Sequence, residues 1–413
     1  MRTPIAICFA AFAAATSLYL ALTPPQARAD IEQHSLRDLV VHEWGTFTSV
    51  AGSNGVLLPG LEREEEALPY FVYSHQGMGP LGRKGFNAQR KIYNATIKME
   101  TPVLYFYHEK AIDFSVDVRF EGGSISQWYP QRSGGETPPP TLIDSDGPEN
   151  LVGGEIDFGK NPYQGAISWN FRSLGRGEAN NASVLKQGET LNWIRPRGPD
   201  SNILENQAEN ATHEKEKYLF YRGVGNFPLP ISTRFDPKNP ETLLVESTID
   251  IPFALVFHMD RNQRGKVLWS GALNFETPQA EVCVPEDNSN TRQTLDLALA
   301  AFAPLKNALV EAGLTNVEAD SMLRTWWTSY FQKPGLRVLW IVPRPFTDEI
   351  LPIDINPRPT QLERVLIGRS EVLSPAFEKE LIAAFSLENQ DENQYLHHPL
   401  ASAYKARITA LKN

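Results

Sequence analysis

Phe114-Ser115-Val116-Asp117-Val118-Arg119-Phe120 alternates without a break, four apolar side chains to one face and three polar ones to the other. A period of two marks a half-buried strand, because successive side chains leave a pleated backbone on opposite sides. Glu121-Gly122-Gly123 reads as a turn, and residues 124–129 as a strand returning from it. Residues 103–107 form an aromatic strand entered through Thr101-Pro102. Residues 218–221 and 243–251 add further strands, and residues 253–259 and 266–273 read as a hairpin. No helical period of similar quality appears between residues 36 and 290. The expectation is a mostly β fold, sandwich-like, with long loops at 133–140, 144–154, 175–188 and 195–213. Long ordered loops are places where binding groups collect.

The pattern changes near residue 291. Leu295, Leu299, Phe302, Leu305 and Leu309 recur near a 3.6 period, with Pro304 placed to kink or split the helix and Gly313 to stop it. Thr315-Asn316-Val317-Glu318 is a capping box, followed by a stripe of Ala319, Leu323, Trp326 and Tyr330. Residues 336–342 read as an apolar strand buried on both faces, and a further strand is centred on 365–367. Ser374-Pro375 starts another helix. The division expected is a β-rich domain over 30–290 and a mixed α/β segment over 291–413. The strands of that segment either complete the first sheet or form a unit of their own.

Residues 1–29 have the parts of a cleavable signal peptide. Arg2 supplies a positive start, residues 5–22 an apolar run, and Ala27-Arg28-Ala29 a small-x-small site ahead of Asp30. Removing them would leave Cys283 as the sole cysteine and shift the net charge from −10 to −12, since the segment holds two arginines and no acid. An exported chain with one cysteine depends on its core and not on disulfides. The acidic balance disfavours nucleic acid as a partner. No second apolar stretch approaches the roughly 20 residues of a membrane span. Asn94, Asn181 and Asn210 head N-x-S/T sequons, which mark exposed loops if the host glycosylates.

Several well-marked enzyme motifs are missing: the G-x-S-x-G elbow, the P-loop, H-E-x-x-H and a dinucleotide glycine fingerprint. The strongest local feature is Val41-His42-Glu43-Trp44-Gly45-Thr46-Phe47-Thr48. His42 or Glu43 is placed to act as metal ligand or general base if a bend at Gly45 brings them to one site. His108 and His258 end two other strands, and with His42 they form a candidate divalent-metal set, His75 being a further member. Glu43 and Glu100 are a candidate catalytic carboxylate pair. Arg222-Gly223-Val224-Gly225-Asn226 offers Arg222 and Asn226 as ligand-binding residues in an anion nest. Arg344 and Asp348, after the strand ending at Val342, either bind a ligand or pair with each other. Trp128, Trp169 and Trp193 are candidates for exposed aromatic platforms.

The strings at 42–48 and 221–227 resemble those of exported bacterial proteins of uncharacterised function that carry an HEWGTFT motif. The resemblance implies a periplasmic or secreted location and transfers no site residue. Two functions follow as expectations. One is an envelope or extracellular protein that binds a glycan, peptide or exported protein through loop surfaces. The other is a hydrolase or oxidoreductase with a histidine/carboxylate site, with or without a metal.

Overall fold

In the computed structural model the described residues are 39–62, 68–74, 77–78, 92–136, 140–142, 151–153, 156–160, 162–176, 184–208, 214–285, 298–387 and 393–412. The signal segment, His75, Asn181, Asn210 and residues 294–297 lie outside them. The principal strands are β1 (Val40–Ala51), β2 (Ile97–Tyr107), β3 (Ile112–Glu121), β4 (Gly123–Tyr129), β5 (Gln164–Ser173), β6 (Leu219–Gly225), β7 (Ile231–Asp236), β8 (Asn239–Ser247), β9 (Ile251–Met259), β10 (Gly265–Leu273), β11 (Gln279–Cys283), β12 (Gly335–Val342) and β13 (Gln361–Val372). The longer helices are α1 (Ala303–Glu311), α2 (Asn316–Thr325), α3 (Arg344–Ile350), α4 (Pro375–Phe385) and α5 (Ala401–Lys412), and shorter helical turns stand at Leu191–Ile194 and Arg195–Arg197.

A ten-stranded sheet runs β10-β9-β12-β13-β1-β2-β6-β4, then the short strands Tyr73–Ser74 and Gly77–Met78. β1 lies between β13, its parallel neighbour, and β2, its antiparallel one, so the first strand of the described residues is joined to the C-terminal segment. All twelve of its residues are buried, as a strand in the middle of a covered sheet requires.

Three layers result. On one face, Val41, Phe47, Met99, Leu104 and Phe106 pack against Phe114, Val116, Val118, Phe120, Ile167 and Trp169 of a second sheet built around β3 and β5. Ile231, Phe235, Leu243 and Val282 of the three-stranded β7-β8-β11 sheet extend the same core. On the other face, Trp44, Val103, Tyr105, Phe220, Leu339 and Ile341 meet Leu305, Leu309, Met322, Leu323, Trp326 and Tyr330 from α1, α2 and the π-helical turn Thr328–Gln332. A smaller cluster sets Leu381, Tyr404 and Ile408 of the last helices, with Leu400 just ahead of α5, against Val50 and Leu373. The fold is mostly β, as the alternation indicates, with the longer helices gathered in the C-terminal third.

One local expectation is corrected. β3 and β4 do not form a hairpin, for β3 belongs to the second sheet and β4 to the ten-stranded one. Gly122, at φ +72°, turns the chain between layers, and a Cβ at Gly123 would lie 2.3 Å from the Phe120 ring. The glycine pair makes a sandwich corner. Pro304 does split its helix: a π-helical turn, Ala298–Phe302, precedes it and α1 starts there.

Candidate functional site

β1 carries the residues that invite a chemical reading, and its pairing with β2 decides where they go. Trp44 pairs with Val103 and Thr46 with Glu100, so Thr101 and Pro102 together oppose the single residue Gly45. That is a β-bulge, two residues against one. A Cβ on Gly45 would lie 3.0 Å from the Pro102 Cα, so only glycine leaves room for the bulged strand. The bulge lies in β2, and His42 and Glu43 still point to opposite faces of the sheet.

His42 points to the helical face. Its Nδ1 is 2.9 Å from Oε2 of Glu318, whose other oxygen accepts from the Tyr107 hydroxyl at 2.5 Å. The capping box forms as read: Glu318 N–H donates to Thr315 Oγ1, and the Thr315 N–H donates to Glu318 at 2.7 Å. Burial acts to raise the Glu318 carboxyl, but His42, Tyr107 and the Thr315 amide together hold it below its ordinary value. His42 thus ties the first strand to the N-terminus of α2.

Glu43 points to the sheet-packed face and is fully buried. Its carboxylate accepts from the Tyr221 hydroxyl and, at 2.5 Å, from Arg364 Nε. Arg364 also donates to the Leu351 carbonyl at 2.6 Å and to Asp348 at 2.9 Å. Burial opposes the Arg364 charge, yet Glu43 beside it keeps the guanidinium above its ordinary value. Burial, with the Glu43 charge adding to it, pushes the Tyr221 hydroxyl well up. Arg344 donates to Asp348 at 2.7 Å, so the ion-pair alternative holds for these two residues. The chain from Glu43 to Arg344 runs from the core to a partly exposed helix.

Glu100 faces the helical side, where it accepts from Thr48 at 2.6 Å and lies 3.8 Å from Arg369. Glu43 and Glu100 therefore stand on opposite faces of one sheet, and the expected carboxylate pair does not form.

The expected metal set is not assembled either. His258 pairs with Leu336, Leu336 with Val372 and Val372 with Ala51, three strands over and level with the far end of β1. Ala51 is about 30 Å from His42 at the rise of an extended strand. His108 points away from His42, into the second sheet, where Nδ1 donates to the Lys110 carbonyl at 2.6 Å and Nε2 meets the Ser173 hydroxyl. Burial lowers the His108 pKa against the opposing pull of the Lys110 carbonyl. Among the described residues no group of three or more His, Cys, Asp or Glu side chains is arranged to hold a metal.

The anion nest is likewise replaced by strand structure. Residues 219–225 are β6, and a Cβ on Gly223 would lie 2.4 Å from the Ser124 carbonyl oxygen. These glycines permit close strand contact. Asn226 accepts from Thr96 Oγ1 at 2.9 Å, which braces the strand end. Trp128, Trp169 and Trp193 are buried, so the exposed-platform reading of those three is withdrawn.

Arg222 and Trp193 are sequence candidates that reach a cavity. They line a cleft on the helical face with Leu68, Thr101, Thr190, Asn192, Phe220, Thr325 and Trp326. The segment forming one wall is pinned from behind. Arg197 donates to Glu216 at 2.7 and 2.8 Å, Tyr218 to the Trp193 carbonyl at 2.8 Å and Tyr105 to the Pro196 carbonyl at 2.7 Å. Sequence reading did not connect Glu318, Arg364 or Arg369 with β1 and β2, since each meets a partner more than a hundred residues away, and apart from Trp193 it did not single out this wall, whose helical turns at Leu191–Ile194 and Arg195–Arg197 are too short to show a period. The capping box was the one available signal for Glu318.

The fold and its fasteners define a three-layer, mostly β protein. No protein-family model and no curated protein matches the sequence. Among solved structures, the zebrafish (Danio rerio) Fcho1 mu homology domain with bound Eps15 peptide is similar over 82% of this chain and 98% of its own. The identity is 8% and the TM-score 0.30, a likeness too slight to carry an argument.

Proposed function

We propose that this chain is an exported binding protein of the bacterial envelope, which holds a peptide or protein partner at the cleft beside Arg222. One observation carries the reading: His42, Glu43 and Glu100 tie layers together, and the cleft beside Arg222 sets the polar side chains of Thr101 and Thr190 among the apolar walls of Trp193, Phe220 and Trp326. Of the three tryptophans on which the glycan alternative stood, Trp128 and Trp169 are buried outside the cleft lining and Trp193 lines it. The exported location follows from the signal-like first segment, and among the described residues no helix is long and apolar enough to cross a membrane. Expression of the full gene in a bacterial host, with fractionation and N-terminal sequencing, tests the location. The expected product begins at Asp30 and is released with the periplasm; a cytoplasmic product beginning at Met1 overturns it.

A further inference from the structure

The helical turn that walls the cleft has an outer side as well as an inner one. Asn192 and Trp193 line the cleft, whereas Leu191 and Ile194, three residues apart on the same turn, are 66 and 41% exposed. Leu185, a few residues earlier, is 74% exposed. Tyr70, 43% exposed, lies beside this segment, for a Cβ on Gly188 would be 3.1 Å from its ring. Among the described residues no other stretch of ten carries more than one exposed large apolar side chain. Phe275, the most exposed of them, follows β10 at the far edge of the ten-stranded sheet, whereas the patch lies over β6, where Trp193 packs on Phe220.

The backbone holds these side chains out in water. Lys186 Nζ donates to the Val184 and Lys215 carbonyls at 3.0 and 2.9 Å, and Glu189 accepts from the Lys186 N–H at 2.9 Å. The Tyr218 and Tyr105 hydroxyls fix the Trp193 and Pro196 carbonyls from behind. The charged side chains of residues 184–197 are engaged within the chain: Lys186 with Glu216, Arg197 with Glu189 and Glu216, and Arg195 with Asn192 and the Arg324 carbonyl. The surface that Tyr70, Leu185, Leu191 and Ile194 present is therefore rigid and apolar.

We infer that this surface is a two-fold interface between two copies of the chain. Exposed to those extents, the four residues present on the order of 400 Å², the size of a patch that marks an interaction site on a monomer. That is about half of the roughly 800 Å² each partner buries in a stable complex, the part that forms an apolar core inside a polar rim. An apolar patch whose neighbouring charges are engaged calls for an apolar counterpart. Among the described residues the chain offers one of this density, the patch itself, and a two-fold axis matches a surface to itself. A formal net charge of −10 disfavours an anionic bilayer as the cover. The fixed backbone leaves little to order on association. This interface goes beyond the cleft reading and does not depend on it, since cleft and patch lie on opposite sides of the turn.

Sedimentation equilibrium of the purified protein across about 0.1–100 μM tests this, a span over which modest interfaces come apart. The average mass is expected to rise from one chain toward two. Leu191→Glu and Ile194→Glu should each weaken association by about 10-fold or more, since each places a charge in the apolar core of the contact. Phe275→Glu, at the far edge of the sheet, should leave association unchanged. All three residues are exposed, so the circular dichroism of the variants should match that of the parent. A single-chain mass over the whole range would overturn the inference, as would a dimer indifferent to both patch variants or weakened by Phe275→Glu. An assembly that grows past two copies would overturn the two-fold axis. A monomer that floats with phosphatidylglycerol vesicles, and ceases to with Leu191→Glu, would assign the patch to a bilayer and overturn the second copy.

Discussion

Gly45 shows how one residue's missing side chain organises its surroundings. A methyl group there would press on the Pro102 backbone, 3.0 Å away, and the bulge that carries Thr101 into the cleft depends on that space. Gly45→Ala should therefore destabilise the fold by about 1–3 kcal/mol, the usual cost of overpacking a rigid contact. Urea denaturation monitored by tryptophan fluorescence measures it; an unchanged midpoint would mean that β2 moves away freely. The sequence displayed Gly45 in a conspicuous string and allowed it a bend. It did not reveal that the bend lies in the neighbouring strand, because residues 45 and 101–102 meet only through pairing.

At the scale of elements, α2 shows why some features were legible and others not. Its capping box is local, four consecutive residues with a known hydrogen-bond pattern, and it forms as read. The same Glu318 also receives His42 from the start of the chain, which no local pattern announces. Thr315→Ala should cost about 1 kcal/mol, the typical loss of an N-cap.

The pH dependence has a definite sign. The Glu318 carboxyl has a folded value below its ordinary one, so below the ordinary carboxylate range the unfolded chain takes up a proton that the folded chain resists. Its stabilisation is complete above that range and is lost as pH falls through the folded value. His108 is also lowered on folding, so its contribution is present above the ordinary histidine value, about 6.5, and declines as pH falls below it. Denaturation midpoints should fall in two acid windows. Glu318→Gln should remove the lower and His108→Gln the upper; midpoints that rise on acidification would contradict both assignments.

Over the whole molecule, strand alternation sufficed for a mostly β fold, because half-buried strands write their burial into the sequence. The layer crossing at Gly122 stayed hidden, since a hairpin turn and a sandwich corner use the same residues. The candidate site was legible as residue types but not as placement. His42, Glu43, Glu100, His108 and His258 are distributed over two faces and distant strands, and of the candidates Arg222 and Trp193 line the cleft. The central claim is that the polar residues of β1 hold layers together. The Glu43–Arg364 pair, both partners fully buried, tests it most directly through a double-mutant cycle of unfolding free energy with Glu43→Gln, Arg364→Met and both together. Each single change is expected to cost about 3–5 kcal/mol, with the double variant losing clearly less than their sum. Single variants as stable as the parent, with additive effects, would show that Glu43 is free for another task and would contradict the account.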